Sequence, residues 1–231
     1  MKITYIHHSG FLVETDSACL LFDWFEGELP AIAEEKPLYV LASHIHEDHF
    51  SGEIFTLTER RPNVTFLLSW DIPEQVVPVC AKSKTLFLRP REIWKDEILS
   101  VETFRSTDEG VAFWCCVDGK QIYHAGDLNH WYWEGEEEQW NRDMTAAYRS
   151  EIALMRGRKA DAAFLPVDPR LEDWFYLGAD DFMKQADAAH IFPMHFWGDF
   201  TVCRKLMDHP CSEKYRDRIV AIEEKGQTFS L

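Results

Sequence analysis

Leu38-Tyr39-Val40-Leu41-Ala42-Ser43-His44-Ile45-His46-Glu47-Asp48-His49 joins an unbroken apolar run to three histidines and an aspartate. The five apolar residues read as a strand buried on both faces. Such a strand delivers the next residues to the edge of a sheet, and alternation puts His44 and His46 on the same side of the chain. Neutral imidazoles beside a carboxylate are the ligands that zinc and similar divalent ions prefer. His44 and His46 can grip one ion, and Asp48 and His49, displaced beyond them, can serve a second. A solvated polar loop would explain one or two histidines but not this clustering.

Around this segment, strand-like runs recur at residues 2–6, 11–15, 18–22, 64–68, 84–88, 98–104, 111–117, 121–124, 161–166 and 190–194. Helical patterns fall at about 51–60, 137–157, 179–188 and 201–216, with Ser51 as an N-cap and Gly157 as a stop. The acidic run Glu134 to Glu138 reads as the exposed start of the second of these helices. Strands dominate the first half, and strand and helix alternate later. That order predicts two packed sheets with helices outside, an α+β arrangement. At 231 residues, 46% of them hydrophobic and 14% aromatic, residues 1–231 are expected to form a single domain with one continuous core.

The 40 acidic residues outnumber the 24 basic ones, for a formal charge of -16. Such a surface repels phosphate backbones and anionic headgroups, so neither nucleic acid nor a membrane is expected as a partner. Cys19, Cys80, Cys115, Cys116, Cys203 and Cys211 lack thiolate-site spacing and read as reduced. The opening Met1-Lys-Ile-Thr-Tyr-Ile-His-His8 runs straight into a strand without a charged-then-apolar leader, which points to a cytoplasmic setting.

His-x-His-x-Asp-His after an apolar strand resembles the signature of the metallo-β-lactamase superfamily. Three further segments match that family in order: Leu20-Leu-Phe-Asp23, Ile122-Tyr-His-Ala-Gly-Asp127 and Ile191-Phe-Pro-Met-His195. The resemblance implies a four-layer αββα sandwich carrying two divalent metal ions, zinc first, with manganese or iron as alternatives. Asp127 would bridge the ions, His195 would be the last ligand, and Asp23 would fix the tautomer of a ligand histidine from behind. Asp48 would bind one ion and orient the attacking water or receive its proton. His8-Ser-Gly-Phe and Tyr-His-Ala-Gly-Asp are most similar to the branch containing ascorbate-phosphate lactonases and related hydrolases.

One family ligand is missing. Phe104-Arg-Ser-Thr-Asp-Glu-Gly110 stands where a further histidine is normal. Asp108 is the candidate replacement, making a harder, oxygen-richer site, with a turn-shaping role as the alternative. His124 is a second candidate and could equally support a ligand from behind, the role also expected for His8. Aromatic residues follow the ligands, so Trp131 and Trp197 are expected to wall a pocket for a small molecule. His130 is a candidate substrate contact, and Arg105 and Arg170 are candidate anion anchors.

These features point to hydrolysis of a small ester, lactone or phosphorylated metabolite. The competing readings are a di-iron oxidoreductase and a degenerate metal-binding or regulatory protein. Oxidoreductases of this fold place a carboxylate where this chain has His46, which favours hydrolysis. Homo-oligomerisation is left open.

Overall fold

The computed structural model describes residues 1–231. The strands of the first sheet are β1 (Lys2–His7), β2 (Gly10–Glu14), β3 (Cys19–Phe22), β4 (Leu38–Ala42), β5 (Val64–Ser69), β6 (Thr85–Leu88) and β13 (Thr228–Ser230). They lie in the order β13-β1-β2-β3-β4-β5-β6. Pairing is antiparallel from β13 to β3 and parallel from β3 to β6. The second sheet runs β12 (Asp187–Met194), β11 (Lys159–Pro166), β10 (Lys120–His124), β9 (Val111–Val117), β8 (Leu99–Arg105) and β7 (Ile93–Lys95). Its first three strands are parallel and the rest antiparallel.

The period-2 pattern of the strands divides the core. In β4, Tyr39 and Leu41 join the large cluster between the sheets, whereas Leu38, Val40 and Ala42 face the other way. That second face is covered by Ile54, Phe55 and Leu57 from a 3-10 turn at Gly52–Thr56 and α1 (Leu57–Arg60), and by Ala81 of α2 (Val79–Lys82). On the far side, Tyr148 and Ile152 of α3 (Glu138–Ile152) and Ala179 and Phe182 of α4 (Leu177–Gln185) join the core. Phe182 stacks on Tyr123 at 4.9 Å. Burying an aliphatic or phenyl side chain such as Ile152 or Phe182 stabilises by about 1.5–3 kcal/mol. The resulting order is helices, sheet, sheet, helices, as the family resemblance implied.

Several helices are shorter than the sequence pattern suggests. The 51–60 segment splits into the 3-10 turn and the single turn of α1, although Ser51 does cap it by accepting from the Glu53 N–H at 3.3 Å. The acidic run mostly precedes α3, which begins only at Glu138. The last helix, α5 (Thr201–Asp208), stops because Pro210 follows and disfavours helical geometry at His209. The two strands absent from the sequence reading, β7 and β13, are three-residue edges. All six cysteines are free. No helix is long and apolar enough to cross a membrane.

β3, β4, β10, β11 and β12 all end at the same rim of the sandwich. There Gly126, at φ +51°, passes so close to Ser43 that an added Cβ would lie 2.6 Å from the Ser43 Cβ and 3.0 Å from the Val111 carbonyl. Gly126→Ala is therefore expected to cost about 2 kcal/mol or more, from left-handed strain and overpacking together. Urea denaturation would read this as a lower midpoint with an unchanged slope, and an unshifted midpoint would contradict the close approach.

Candidate metal centre

Every residue of the cluster sits just beyond a strand end. His8 lies in the β1–β2 hairpin, Asp23 follows β3, His44 to His49 follow β4, Asp127 follows β10, Asp168 follows β11 and His195 follows β12. The backbone bends sharply to aim several of them. His8, Asp23, His195 and Trp197 have φ of 53°, 41°, 63° and 50°, a left-handed region costing such residues of order 1 kcal/mol each.

The side chains form two groups whose ligand atoms lie within 4.8 Å of one another: His8, Asp48, His49 and His195, and His44, His46, Asp108 and Asp127. Asp127 faces both. Its Oδ1 is 3.1 Å from His49 Nε2 and 3.4 Å from His195 Nε2, and its Oδ2 is 3.7 Å from His44 Nε2. Asp48 Oδ2 lies 3.8 Å from His195 Nε2, and Asp108 Oδ2 lies 3.6 Å from His46 Nδ1. Metal bonds of about 2.0–2.2 Å place neighbouring ligand atoms roughly 3–3.5 Å apart, the spacing approached here.

Buried polar atoms normally find partners. In this cluster the Nε2 atoms of His8, His44, His49 and His195 and the Oδ1 of Asp127 are buried without a hydrogen bond. These orphaned atoms converge, and a divalent metal is the kind of group that such nitrogen and oxygen donors fit.

Behind them, the outer ring nitrogens are held. His49 Nδ1–H donates to Asp23 Oδ2 at 2.7 Å and His195 Nδ1–H donates to Asp168 Oδ2 at 2.9 Å. Asp23 also accepts the Ser43 N–H and O–H, each at 2.7 Å, so the Ser43 Oγ is left to accept from His44 Nδ1 at 2.9 Å. Asp168 is clamped by the Arg170 Nε, at 2.9 Å.

The chain's own charges show how strongly this cluster draws positive charge. Burial opposes protonation of His195, yet Asp127 and Asp168 outweigh it and raise its pKa to about 9. His49, buried between Asp127 and Asp23, is raised in the same way. Burial dominates at His44 and His8, whose pKa values fall to about 3 and about 4. Burial would raise the pKa of Asp127, yet His49 and His195 hold it well below the carboxylate range.

A cavity of about 470 Å³ opens beside His46, Asp108 and Asp127. Trp131, Trp133, Trp140 and Met144 form its apolar walls, and Arg170 is its one lysine or arginine. Three expectations need correction. His130 is buried away from this cavity, with its Nδ1 against Asp181 at 3.0 Å and its Nε2 against Thr145 at 2.7 Å. Arg105 is exposed at the end of β8 and does not line the cavity, whereas Arg170 does. Trp197 packs tilted against His8 at 4.2 Å and borders a second hollow with Phe25 and Glu47, which shares only Asp48 with this cavity.

His124 is not a free donor, because its Nε2–H reaches the Ser9 carbonyl at 2.9 Å and its Nδ1 accepts the Gly126 N–H at 3.2 Å. His8, expected to support a ligand from behind, brings its Nε2 to 3.4 Å from Asp48 Oδ2. Asp168 escaped the sequence reading. Its signal was present, since Ala163-Phe-Leu-Pro-Val-Asp168 repeats the pattern of an apolar strand running into aspartate seen at Asp23.

A family model described as the beta-lactamase superfamily domain matches residues 2–143. A metal-dependent hydrolase of Symbiobacterium thermophilum is 27% identical over 87% of this chain and 86% of its own. Igni18, a metallo hydrolase of Ignicoccus hospitalis, superposes with a TM-score of 0.61 at 20% identity, covering 100% of this chain and 98% of the other. CmlA, a diiron β-hydroxylase from Streptomyces venezuelae, gives 0.57 at 12% identity over 96% of this chain and 47% of its own. The two structural likenesses show the fold alone.

Outer partners of metal-ligating imidazoles typically govern affinity by about 10–100-fold. Asp168→Ala is expected to weaken divalent-ion binding by that amount while leaving the chain folded, and Asp23→Ala to weaken it likewise with an added loss of stability, as read by titration against a chromophoric chelator. Affinities equal to wild type would show that these carboxylates orient nothing.

Proposed function

Because the chain belongs to the beta-lactamase superfamily, we propose that it is a metal-dependent hydrolase of small molecules carrying an ester, lactone or phosphate bond. The observation that carries this reading is the convergence of buried, unpartnered imidazole nitrogens on Asp127, whose two oxygens face two separate ligand groups. His44, His46, Asp127 and Asp108 would hold one ion, and Asp48, His49, His195 and Asp127 the other. Two divalent ions bound there would lower the pKa of a shared water toward neutrality and polarise the oxygen of the bond to be cleaved.

The chain's own residues supply the rest. Asp48 is partly exposed at the edge of the cluster, where it can orient the attacking water and receive its proton. Asp23, Ser43 and Asp168 keep the Nε2 atoms of His49, His44 and His195 aimed inward. The tryptophan walls exclude water from one side of the reacting bond and suit a flat or branched apolar group rather than a polymer. Arg170 keeps part of its guanidinium exposed at the cavity and can meet a carboxylate or phosphate on the substrate. The net charge of -16 argues against a nucleic-acid substrate. Asp108 in place of an imidazole makes the first position richer in oxygen, which moves its preference from zinc toward manganese or iron.

The test is a screen of lactones, phosphodiesters and thioesters using protein stripped of metal and reloaded with zinc, manganese or iron. Hydrolysis is expected only after reloading. His46→Ala and Asp127→Ala remove transition-state stabilisation worth several kcal/mol, so kcat/KM is expected to fall roughly a thousandfold or more. Equal activity in His46→Ala and wild type would refute the site. Oxygen consumption by the iron-loaded protein would favour redox chemistry instead.

A further inference from the structure

Four buried imidazoles face the cluster, and their outer nitrogens sort them into two kinds. His44, His49 and His195 each donate an Nδ1–H, to Ser43 Oγ, Asp23 and Asp168 respectively. A neutral ring that donates from Nδ1 has its lone pair on Nε2, free for an ion. His8 has the opposite arrangement. Its Nδ1 accepts the Trp197 backbone N–H at 3.4 Å, so a neutral His8 carries its proton on Nε2.

That Nε2 lies 3.4 Å from Asp48 Oδ2. The separation fits either two ligands of one ion or two groups just short of a hydrogen bond, so distance alone does not assign the role. The partner of the other nitrogen does. The arrangement is held from several sides: His195 N–H donates to the His8 carbonyl at 3.3 Å, and the His8 N–H donates to the Tyr5 hydroxyl at 2.9 Å. His8 and Trp197 both adopt left-handed backbone to meet, and the His8 ring packs at 4.2 Å against both His195 and Trp197.

We propose that His8 is a positioning residue that donates its Nε2–H to Asp48 Oδ2 and is neither a metal ligand nor a base. The same Asp48 oxygen faces His195 and His49, at 3.8 Å and 4.0 Å. A carboxylate oxygen has two lone pairs, so one can take the His8 proton while the other points into the ion position. His8 thereby fixes the direction of Asp48, and its proton prevents it from taking another at that atom. The inference rests on the two-ion reading for its consequence but not for its geometry.

Two-bond proton–nitrogen correlation spectra report the tautomer of each histidine directly. His8 is expected to be Nε2-protonated both in metal-free protein and after saturation with zinc, while His44, His49 and His195 are Nδ1-protonated in the loaded state. His8→Asn tolerates the left-handed backbone but is too short to reach Asp48. It is expected to bind as many zinc ions as wild type at saturation, with affinity weaker by roughly 10–100-fold, and His8→Gln, which keeps a reaching N–H, is expected to recover most of that loss.

A switch of His8 to the Nδ1-protonated form on adding zinc, or loss of one equivalent in His8→Asn, would overturn the proposal by making His8 a ligand. Unchanged affinity in His8→Asn would overturn the positioning role. A wild-type protein that bound none of zinc, manganese and iron would sink the two-ion reading instead, and the metal-free spectrum would still decide the tautomer.

Discussion

The rim of this sandwich is organised around one buried carboxylate. Asp23, with no solvent exposure, accepts the N–H and O–H of Ser43 and the Nδ1–H of His49. A buried charge is tolerated only when its lone pairs are occupied, and three donors at 2.7 Å do that. The same contacts lock the end of β3 to the end of β4 and orient His44 and His49 together. They also leave no space around Ser43, which is why glycine, with positive φ, is found at both Gly110 and Gly126 where the second sheet's loops pass it. A change at Asp23 would disturb packing between the sheets and the direction of two imidazoles at once.

The electrostatics follow from that geometry. Asp23, Asp127 and Asp168 surround His49 and His195 so closely that burial, which ordinarily strips an imidazole of its proton, is overcome at both. At His44 burial prevails, reinforced by the neighbouring His49, and its pKa is lowered despite Asp127 and Asp23. Positive charge is thus stabilised at the centre of a chain whose surface is strongly acidic. A site with this demand attracts cations whatever reaction it serves, and bound ions would in turn let it receive an anionic substrate.

Much of this was legible in the sequence because the relevant signals are local. The apolar run at Leu38 to Ala42 was readable as a doubly buried strand, and its alternate residues do divide between the two core clusters. His44, His46, Asp48 and His49 are close in space largely because they are close in the chain. The failures come from partners set by tertiary structure. His130 is only three residues beyond Asp127, but the chain turns inward there and Asp181 and Thr145 satisfy its ring. Arg105 leaves β8 pointing outward, while Arg170 is turned to the cavity by its grip on Asp168. No periodicity reports such pairings, and the three-residue edges β7 and β13 are too short to produce any.

The two ligand groups are unlike in a way that bears on how the site would work. His49 and His195 are enclosed, and Asp48 beside them is partly exposed. In the other group His46 and Asp108 each keep 46% of their side-chain surface open and line the cavity. Closed coordination favours retention of an ion, whereas an open position leaves room for water and substrate. An ion held by His44, His46, Asp108 and Asp127 would therefore be the exchangeable one and the one to meet the substrate. Asp108 is central to that difference. A carboxylate on an exposed turn binds more weakly and more flexibly than an imidazole braced by a buried acid, so with Asp108 as its ligand the position that faces the cavity would be the looser of the two.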